Sequence, residues 1–154
     1  MAAVVDESIR ALQDEGFKAT RSRKQVIQVL EAADRPLTAY EIQRSLEQQG
    51  KHLNQVTVYR TLDLLCRLNL AHKLLSSGGF IKCSLCRSES CHRFAVCQCC
   101  GAVQEFADTG LCQHELEFAR ELGFHTRHHV SESTGLCARC HGRGEAAGPE
   151  RRSD

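Results

Sequence analysis

The chain has 154 residues, 42% of them hydrophobic and 25% charged, which is ordinary for a globular protein of one domain or two small ones. No apolar run approaches a membrane span, and residues 1–6 lack the basic and apolar pattern of a signal peptide, so a cytoplasmic protein is expected. Residues 1–82 hold twelve Lys and Arg against nine Asp and Glu, a net of +3, whereas residues 83–154 hold eight against ten, a net of −2. The positive first half fits a modest contact with phosphate groups.

Four helices are predicted in the first half of the chain from apolar periodicity and capping residues. Thr20 can cap the second helix, Asn54 can cap the fourth, and Thr38 with Glu41 forms a T-x-x-E capping box before the third. The expected helices cover residues 8–15, 21–33, 39–49 and 55–69.

A β-hairpin is predicted after the fourth helix. Two apolar segments, Leu70–Leu75 and Phe80–Cys83, flank the turn Ser76–Gly79, in which glycine supplies positive φ angles. Helices followed by a two-stranded wing are typical of a winged helix-turn-helix, expected here over residues 1–83. The alternative is a helical bundle with an added hairpin.

A polar segment, residues 84–91, is predicted to be a linker to a second, α/β domain over residues 92–141. The expected elements of that domain are the strands Arg93–Cys97 and Ala102–Phe106, the helix Leu111–Leu122 and the strand Phe124–Ser131. Residues 142–154 are rich in Gly, Glu and Arg without apolar periodicity, so they are predicted to be disordered. The fold class is therefore expected to be α+β.

Two of the cysteine pairs, Cys97/Cys100 and Cys137/Cys140, have the C-x-x-C spacing. Where thiols stay reduced, ten cysteines indicate metal or redox chemistry rather than a disulfide framework. The spacing lets two thiolates approach one ion, and four thiolates complete the tetrahedral shell of a structural Zn²⁺. A thioredoxin-like redox pair is disfavoured because neither pair opens a helix after a strand. The sequence therefore predicts a zinc site made of four cysteines.

A second, more dispersed set of donors surrounds the predicted linker. His72 would begin the wing and Cys83 would end it, so an antiparallel hairpin brings them together. His92 follows the linker, and Glu105 lies on the strand after the first knuckle. Each residue taken singly could equally be an ordinary surface or core side chain, and Cys91 is an alternative ligand to His92.

The predicted fourth helix carries Thr57, Tyr59 and Arg60, which are candidates for reading DNA. Arginine can donate to both guanine acceptors in the major groove, and threonine or tyrosine can contact thymine methyl groups or the backbone. Arg21 and Arg23, at the start of the second helix, suit phosphate contacts. The alternative is that these are solvated side chains on helix surfaces.

Several motifs together resemble the ferric uptake regulator superfamily, in order over about residues 7–141. They are T-R-S-R at 20–23, T-V-Y-R at 57–60, the C-Q-C-C-G knuckle at 97–101 and G-L-C-A-R-C at 135–140. T-A-Y-E-I at 38–42, with His72-Lys73 followed by Cys83, is similar to the zinc uptake regulator branch. The resemblance implies a homodimer with an N-terminal winged helix that binds DNA and a C-terminal α/β dimerisation domain.

Carried over residue by residue, the resemblance supports the four-cysteine structural zinc and places the DNA-reading positions on Tyr59 and Arg60. It assigns a regulatory zinc to His72, Cys83, His92 and Glu105, hence two zinc ions per chain. Iron- and peroxide-sensing relatives use a histidine where this chain has Pro36 and an H-x-H before the first knuckle, where His92 is followed by Phe94. These departures argue against iron.

The expected function is a zinc-responsive repressor of zinc uptake genes, with zinc as co-repressor, acting as a homodimer on a palindromic DNA operator. No membrane association and no enzymatic activity are expected, because a closed four-ligand site lacks the open metal position that hydrolysis needs. Two alternatives stay open. One is a regulator of the same family that senses another metal or oxidants through the surplus cysteines 86, 91, 99 and 112. The other is a zinc-binding protein without a regulatory role.

Overall fold

A computed structural model describes residues 2–85, 91–126 and 130–143, with side chains from residue 7 onward. The chain forms two compact units, Met1–Cys86 and Arg87–Asp154, and each is described by itself. Most of the expected linker lies outside the described residues, as do residues 144–154 of the expected disordered tail, 142–154. The expected start of that tail is wrong, because Gly142 is the last residue of a short helix.

The first unit contains four helices and a hairpin. One side chain from each helix, namely Leu12, Val26, Ile42 and Leu62, is fully buried at 0% exposure in a common core. Burying a side chain of this size stabilises the fold by about 1.5–3 kcal/mol. The helices are α1 (Ala2–Asp14), α2 (Arg21–Glu31), α3 (Ala39–Gln48) and α4 (Gln55–Arg67).

The predicted caps are confirmed. The side chains of Thr20 and Asn54 accept from the backbone N–H groups three residues later, and Thr38 with Glu41 makes the reciprocal capping box before α3. α1 begins earlier than the periodicity predicted, and α4 ends two residues sooner, because Asn69 takes a positive φ of 52°.

The predicted wing is also present, as β1 (Ala71–Lys73) and β2 (Phe80–Lys82), which pair antiparallel with His72 opposite Ile81. Phe80 and Leu37 exchange backbone hydrogen bonds, so the loop before α3 extends this sheet. Gly79 is required there, since a Cβ on it would lie 2.8 Å from the Cβ of Pro36. A helical bundle with an added hairpin is therefore excluded, because the hairpin pairs with the helical core.

The second unit is a three-stranded sheet with two helices. β3 (His92–Cys97) is central, β4 (Val103–Ala107) pairs antiparallel with it, and β5 (Ser131–Gly135) pairs parallel on the other side. The helices are α5 (Thr109–Glu121) and α6 (Ala138–Gly142).

The predicted strand Phe124–Ser131 is wrong in its position. Residues 124–126 and 130 are not in a strand, residues 127–129 lie outside the described part, and the strand begins at Ser131. β5 has the polar sequence S-E-S-T-G, which lacks the apolar alternation of a half-buried strand. The position of β5 is determined by its pairing with β3. The residues of β5 alone do not indicate that a parallel strand lies beside them.

Candidate metal centres and nucleic-acid interface

The four knuckle cysteines converge in the second unit, where their sulfur atoms all lie within 4.8 Å of one another. Cys97 ends β3, and the turn through Gly101, with a φ of 72°, directs Cys100 back toward it. Parallel pairing places Gly135 opposite Cys97, so the chain delivers Cys137 to the first knuckle two residues later. Cys140 follows on α6 and is buried. The arrangement is a tetrad of sulfur donors suited to a tetrahedral metal ion.

Backbone dipoles around this tetrad favour thiolates. The N–H groups of Cys100 and Cys137 lower the pKa of Cys97 to about 6, with the Cys137 N–H lying 3.3 Å from its sulfur. The N–H of Ala102 lowers the pKa of Cys100, and the Arg139 guanidinium supports the same thiolate. Burial raises the pKa of Cys140, so this sulfur needs a cation to ionise. Soft thiolate donors of this kind prefer Zn²⁺.

A fifth cysteine, Cys99, lies beside the tetrad. It is exposed, and its sulfur is in hydrogen-bonding reach of Cys140. The C-x-C-C order of residues 97–100 already indicates that a further cysteine, Cys99, lies beside the two knuckle cysteines. Four sulfurs already satisfy a tetrahedral zinc, so Cys99 is in contact with the tetrad without belonging to it.

The wing of the first unit presents a pair of soft donors. His72 lies on β1, and Cys83 follows β2 with its N–H donating to the carbonyl of Leu70. The two side chains are 8% and 5% exposed, and their ligand atoms lie within 4.8 Å of each other. The predicted proximity across the hairpin is therefore present.

The second unit holds another donor pair on neighbouring strands. His92 Nδ1 lies 2.7 Å from Glu105 Oε1, with both side chains buried. Antiparallel pairing of β3 and β4, with Phe94 opposite Glu105, brings the two together. The imidazole tautomer that donates from Nδ1 leaves Nε2 with a lone pair for a metal.

Cys91, the alternative to His92, is bonded to Cys112 of α5 in a disulfide. This single bond is not a disulfide framework, and it makes Cys91 and Cys112 the disulfide-bonded pair among the described cysteines. Of the other surplus cysteines, Cys86 lies outside the described residues. His114 and His125 are exposed.

The candidate nucleic-acid interface is on the first unit. Tyr59 and Arg60 of α4 are exposed, as is Arg21 at the start of α2. Thr57 is half-buried, and its N–H is used by the Asn54 cap. Arg23 donates from Nη1 to the carbonyl of Lys18 at 2.6 Å, so part of its hydrogen-bonding capacity is used within the unit.

One basic residue of this interface was missed. Lys51 lines a shallow groove together with two other basic residues, Arg21 and Lys24. The rest of the lining is uncharged: Ala19, Gln25 and Gln28. Lys51 follows Gly50, which ends α3 with a positive φ of 71°. Sequence periodicity does not predict where a lysine just after a helix will lie. Lys51 comes near Arg21 because α2 lies beside the turn that follows α3.

The second unit exposes an apolar surface. Phe118 of α5 is 62% exposed, Leu122 at the C-cap of this helix is 71% exposed, and Phe124 after it is 65% exposed. They line one open groove. Three adjacent apolar side chains exposed in this way indicate a protein interface. In the part of the chain that the structure describes, no helix has the length and apolar character needed to cross a membrane.

Comparison with known proteins agrees with this architecture. The ferric uptake regulator family model matches residues 14–133. The zinc uptake regulation protein of Escherichia coli (strain K12) is 32% identical over 125 residues, covering 80% of this chain and 72% of that protein. The ferric uptake regulation protein of Legionella pneumophila is 30% identical over 135 residues, covering 87% and 98%. A solved zinc uptake regulator complexed with zinc and DNA superposes with a TM-score of 0.86 at 26% identity, covering 94% of this chain and 97% of that one.

Proposed function

Because this chain belongs to the ferric uptake regulator family, we propose that it is a zinc-responsive transcriptional repressor that controls zinc uptake genes with zinc as co-repressor. The observation that carries the choice of zinc is the buried His72–Cys83 pair. A hairpin next to the DNA-reading helix presents an imidazole and a thiol to one ion, and such soft donors favour zinc over iron or manganese. The E. coli relative and the solved complex support the same choice.

The first zinc would be structural and would be held by the sulfur tetrad. With all four positions filled by protein, no open position remains for a substrate, so no catalysis is proposed. The ion would join the end of β3 to the start of α6, and its binding would contribute directly to the folding free energy of the second unit.

The second zinc would be regulatory, which makes two per chain. Its proposed ligands are the donor pair of the wing and the donor pair on β3 and β4, that is His72, Cys83, His92 and Glu105. His92 is preferred to Cys91 because its buried ring already contacts Glu105, the other proposed ligand of this unit. The carboxylate of Glu105 would hold the His92 ring in the tautomer that leaves the second nitrogen to the metal.

The first unit would bind DNA through α4. We place the DNA-binding domain at residues 1–83, with Tyr59 and Arg60 reading base edges and Thr57 contributing beside them. Arg21 and Arg23 would contact phosphates. Residues 92–141 would be the dimerisation domain. Phe118 of α5 and Leu122 at its C-cap would be buried against a second copy in a cytoplasmic homodimer. A two-fold dimer requires a palindromic operator.

Co-repression needs two states with different zinc affinity. When bound, zinc would link the wing to the second unit and so favour one spacing of the two reading helices. His72 and Cys83 supply half of the ligands from the hairpin next to α4, so losing either would leave the DNA-reading residues intact but uncoupled from zinc. The free energy by which zinc shifts the equilibrium toward the DNA-binding state equals the difference in the free energy of zinc binding between the two states.

The test measures zinc content and operator binding in Cys83→Ser, with Cys66→Ser as a matched control in the same unit. We expect two zinc ions per wild-type chain, one in Cys83→Ser with the fold retained, and two in the control. Wild type and control should lose operator affinity by at least about tenfold when regulatory zinc is chelated, whereas Cys83→Ser should be weak throughout. Equal operator affinity in wild type with and without regulatory zinc would refute the proposal.

A second candidate is a regulator that senses another metal or oxidants. The 30% identity to the ferric uptake regulation protein of Legionella pneumophila supports this second candidate. Pro36 and Phe94, in place of the histidines of iron-sensing relatives, argue against iron. Titrating DNA release with nickel, iron and peroxide would separate these signals from zinc. A zinc store without regulatory function would show no sequence-specific DNA retention at all.

A further inference from the structure

The Cys91–Cys112 disulfide belongs to neither zinc site. It joins the residue before β3 to the first turns of α5, across 21 residues of chain, with a Cα–Cα distance of 5.8 Å. Two cysteines at this separation can close or open a disulfide without backbone movement, because disulfides span Cα distances of about 4.4–6.8 Å. The geometry therefore permits both redox states in the same fold.

This bond lies next to a proposed zinc ligand. His92 directly follows Cys91, and its ring is held by Glu105 at 2.7 Å. On the other side of His92, Arg93 donates from Nη2 to Glu115 of α5 at 2.6 Å.

Cys112 and Glu115 are three residues apart on α5 and so lie on one face of it. His92 is thus flanked by two links from β3 to the same face of α5, one ionic and one covalent. Arg93 has a further contact with the hydroxyl of Ser131 on β5 at 3.2 Å. Opening the disulfide would remove the covalent link and leave the Arg93–Glu115 ion pair in place.

We propose that Cys91 and Cys112 are a reversible redox pair whose state sets how tightly His92 and Glu105 hold zinc. The second half of this statement rests on the proposed function. In a compartment that keeps thiols reduced, a disulfide at this place is a transient regulatory bond rather than a framework bond. Its formation restrains the backbone beside His92, which lowers the conformational entropy lost when zinc binds.

The chemistry requires a two-electron oxidant, and a hydroperoxide is the class that fits. One thiolate of the pair attacks a peroxide oxygen, so that an S–O bond forms and the O–O bond breaks. After protonation the leaving group departs as water from hydrogen peroxide, or as an alcohol from an organic hydroperoxide. The second thiol then attacks that sulfur, the S–S bond forms, the S–O bond breaks, and water leaves. Two electrons pass from the two sulfurs to the peroxide, and a low-molecular-weight or protein dithiol returns them by thiol–disulfide exchange.

The other described cysteines are less suited to this role. The four knuckle sulfurs would be occupied by zinc, and burial raises the pKa of Cys66 to about 11, so that it stays an unreactive thiol. Cys99 is exposed, and its nearest sulfur is the Cys140 ligand, so its oxidation would be expected to cost the structural zinc. Among the cysteines that the structure describes, the Cys91–Cys112 pair is therefore the one best suited to be oxidised while both proposed ligand sets stay intact.

The experiment uses the full chain, reduced, loaded with zinc and treated with one equivalent of hydrogen peroxide. Differential alkylation and peptide mass spectrometry should find a Cys91–Cys112 linked peptide that dithiothreitol removes, with zinc per chain unchanged. Competition against a zinc indicator should show the regulatory site about threefold to tenfold tighter in the oxidised form. Cys112→Ser should lack the change, and Cys99→Ser should keep it.

Loss of structural zinc before the linked peptide forms would overturn the redox pair. An identical zinc affinity in both redox states, or the same shift in Cys112→Ser, would overturn its effect on the site. The mass measurement on wild-type protein needs no variant to fold. If Cys83→Ser kept both zinc ions, the proposed function would fail, while the linked peptide would still decide whether the redox pair exists.

Discussion

The backbone N–H of Cys137 donates to the sulfur of Cys97 at 3.3 Å, although 40 residues separate them. This contact exists because β5 runs parallel to β3 and ends opposite Cys97. A metal held there would close the chain around α5. We therefore expect the second unit to depend on zinc for its stability.

Replacing Cys137 by serine should remove one zinc per chain and lower the stability of the second unit by several kcal/mol, because structural zinc binding is folding free energy. Metal analysis and thermal unfolding with and without chelator measure this. Cys99→Ser is the matched control and should keep its zinc. Zinc retention in Cys137→Ser would mean that the tetrad is not the ligand set.

Arg60→Ala should weaken operator binding by about 1–3 kcal/mol and relax the base preference at one position in each half-site, since a bidentate contact to guanine is lost. Arg67→Ala, an exposed arginine in the last turn of the same helix, is the control and should have little effect. Fluorescence anisotropy with operator variants measures both. Equal losses in the two variants would show that charge alone, rather than base reading, explains the contribution of Arg60.

Lys51→Ala should weaken binding about equally to operator and to unrelated DNA, because a phosphate contact carries no base information. The slope of log affinity against log salt should fall by about one, since about one fewer counterion is released per protein unit. Lys73→Ala, an exposed lysine of the wing, is a comparison with the same charge change. A salt slope unchanged by Lys51→Ala would place the groove with Arg21 and Lys24 away from DNA.

Phe118→Glu should convert the dimer to monomer, because a charge would be buried in an apolar interface at a cost of several kcal/mol. Sedimentation or light scattering measures the mass, and operator affinity should fall with it. Glu117→Gln, on a neighbouring exposed position of α5, should remain dimeric. A dimeric Phe118→Glu would mean that a different surface joins the two copies.

Glu41→Gln should destabilise the first unit by about 0.5 kcal/mol at neutral pH, because glutamine can keep the capping box but lacks the negative charge that favours this helix N-terminus and pairs with Arg35. The backbone N–H of Thr38, helped by Arg35, lowers the pKa of Glu41 below its usual 4.5. The contribution of Glu41 is therefore fully present above pH 4.5 and is lost as the pH falls through the lower folded value. Chemical unfolding at pH 7 and pH 3 should show the wild type and Glu41→Gln converging in acid. A constant difference at both pH values would contradict the linkage.

The helices of the first unit were predictable because their signals are local. Thr20, Thr38 and Asn54 each make the cap hydrogen bond that the sequence predicted, and an apolar stripe at helical spacing packs into the core. The wing was predictable for the same reason, because Gly78 and Gly79 mark a turn between two short apolar runs. Such signals require only neighbouring residues, whose interactions do not depend on the rest of the chain.

The donor types of the proposed metal ligands were also predictable, because a C-x-x-C spacing and the residue types at 72, 83, 92 and 105 are properties of single positions. The position of β5, the Cys91–Cys112 bond and the exposed face of α5 were not. Two parallel strands are joined by a long connection, so the residues near Ser131 do not indicate that β3 lies beside them. Two sulfurs meet, and apolar side chains stay exposed, only as a consequence of where tertiary contacts hold α5. Those contacts, such as the Arg93–Glu115 ion pair, join residues that are far apart in the chain.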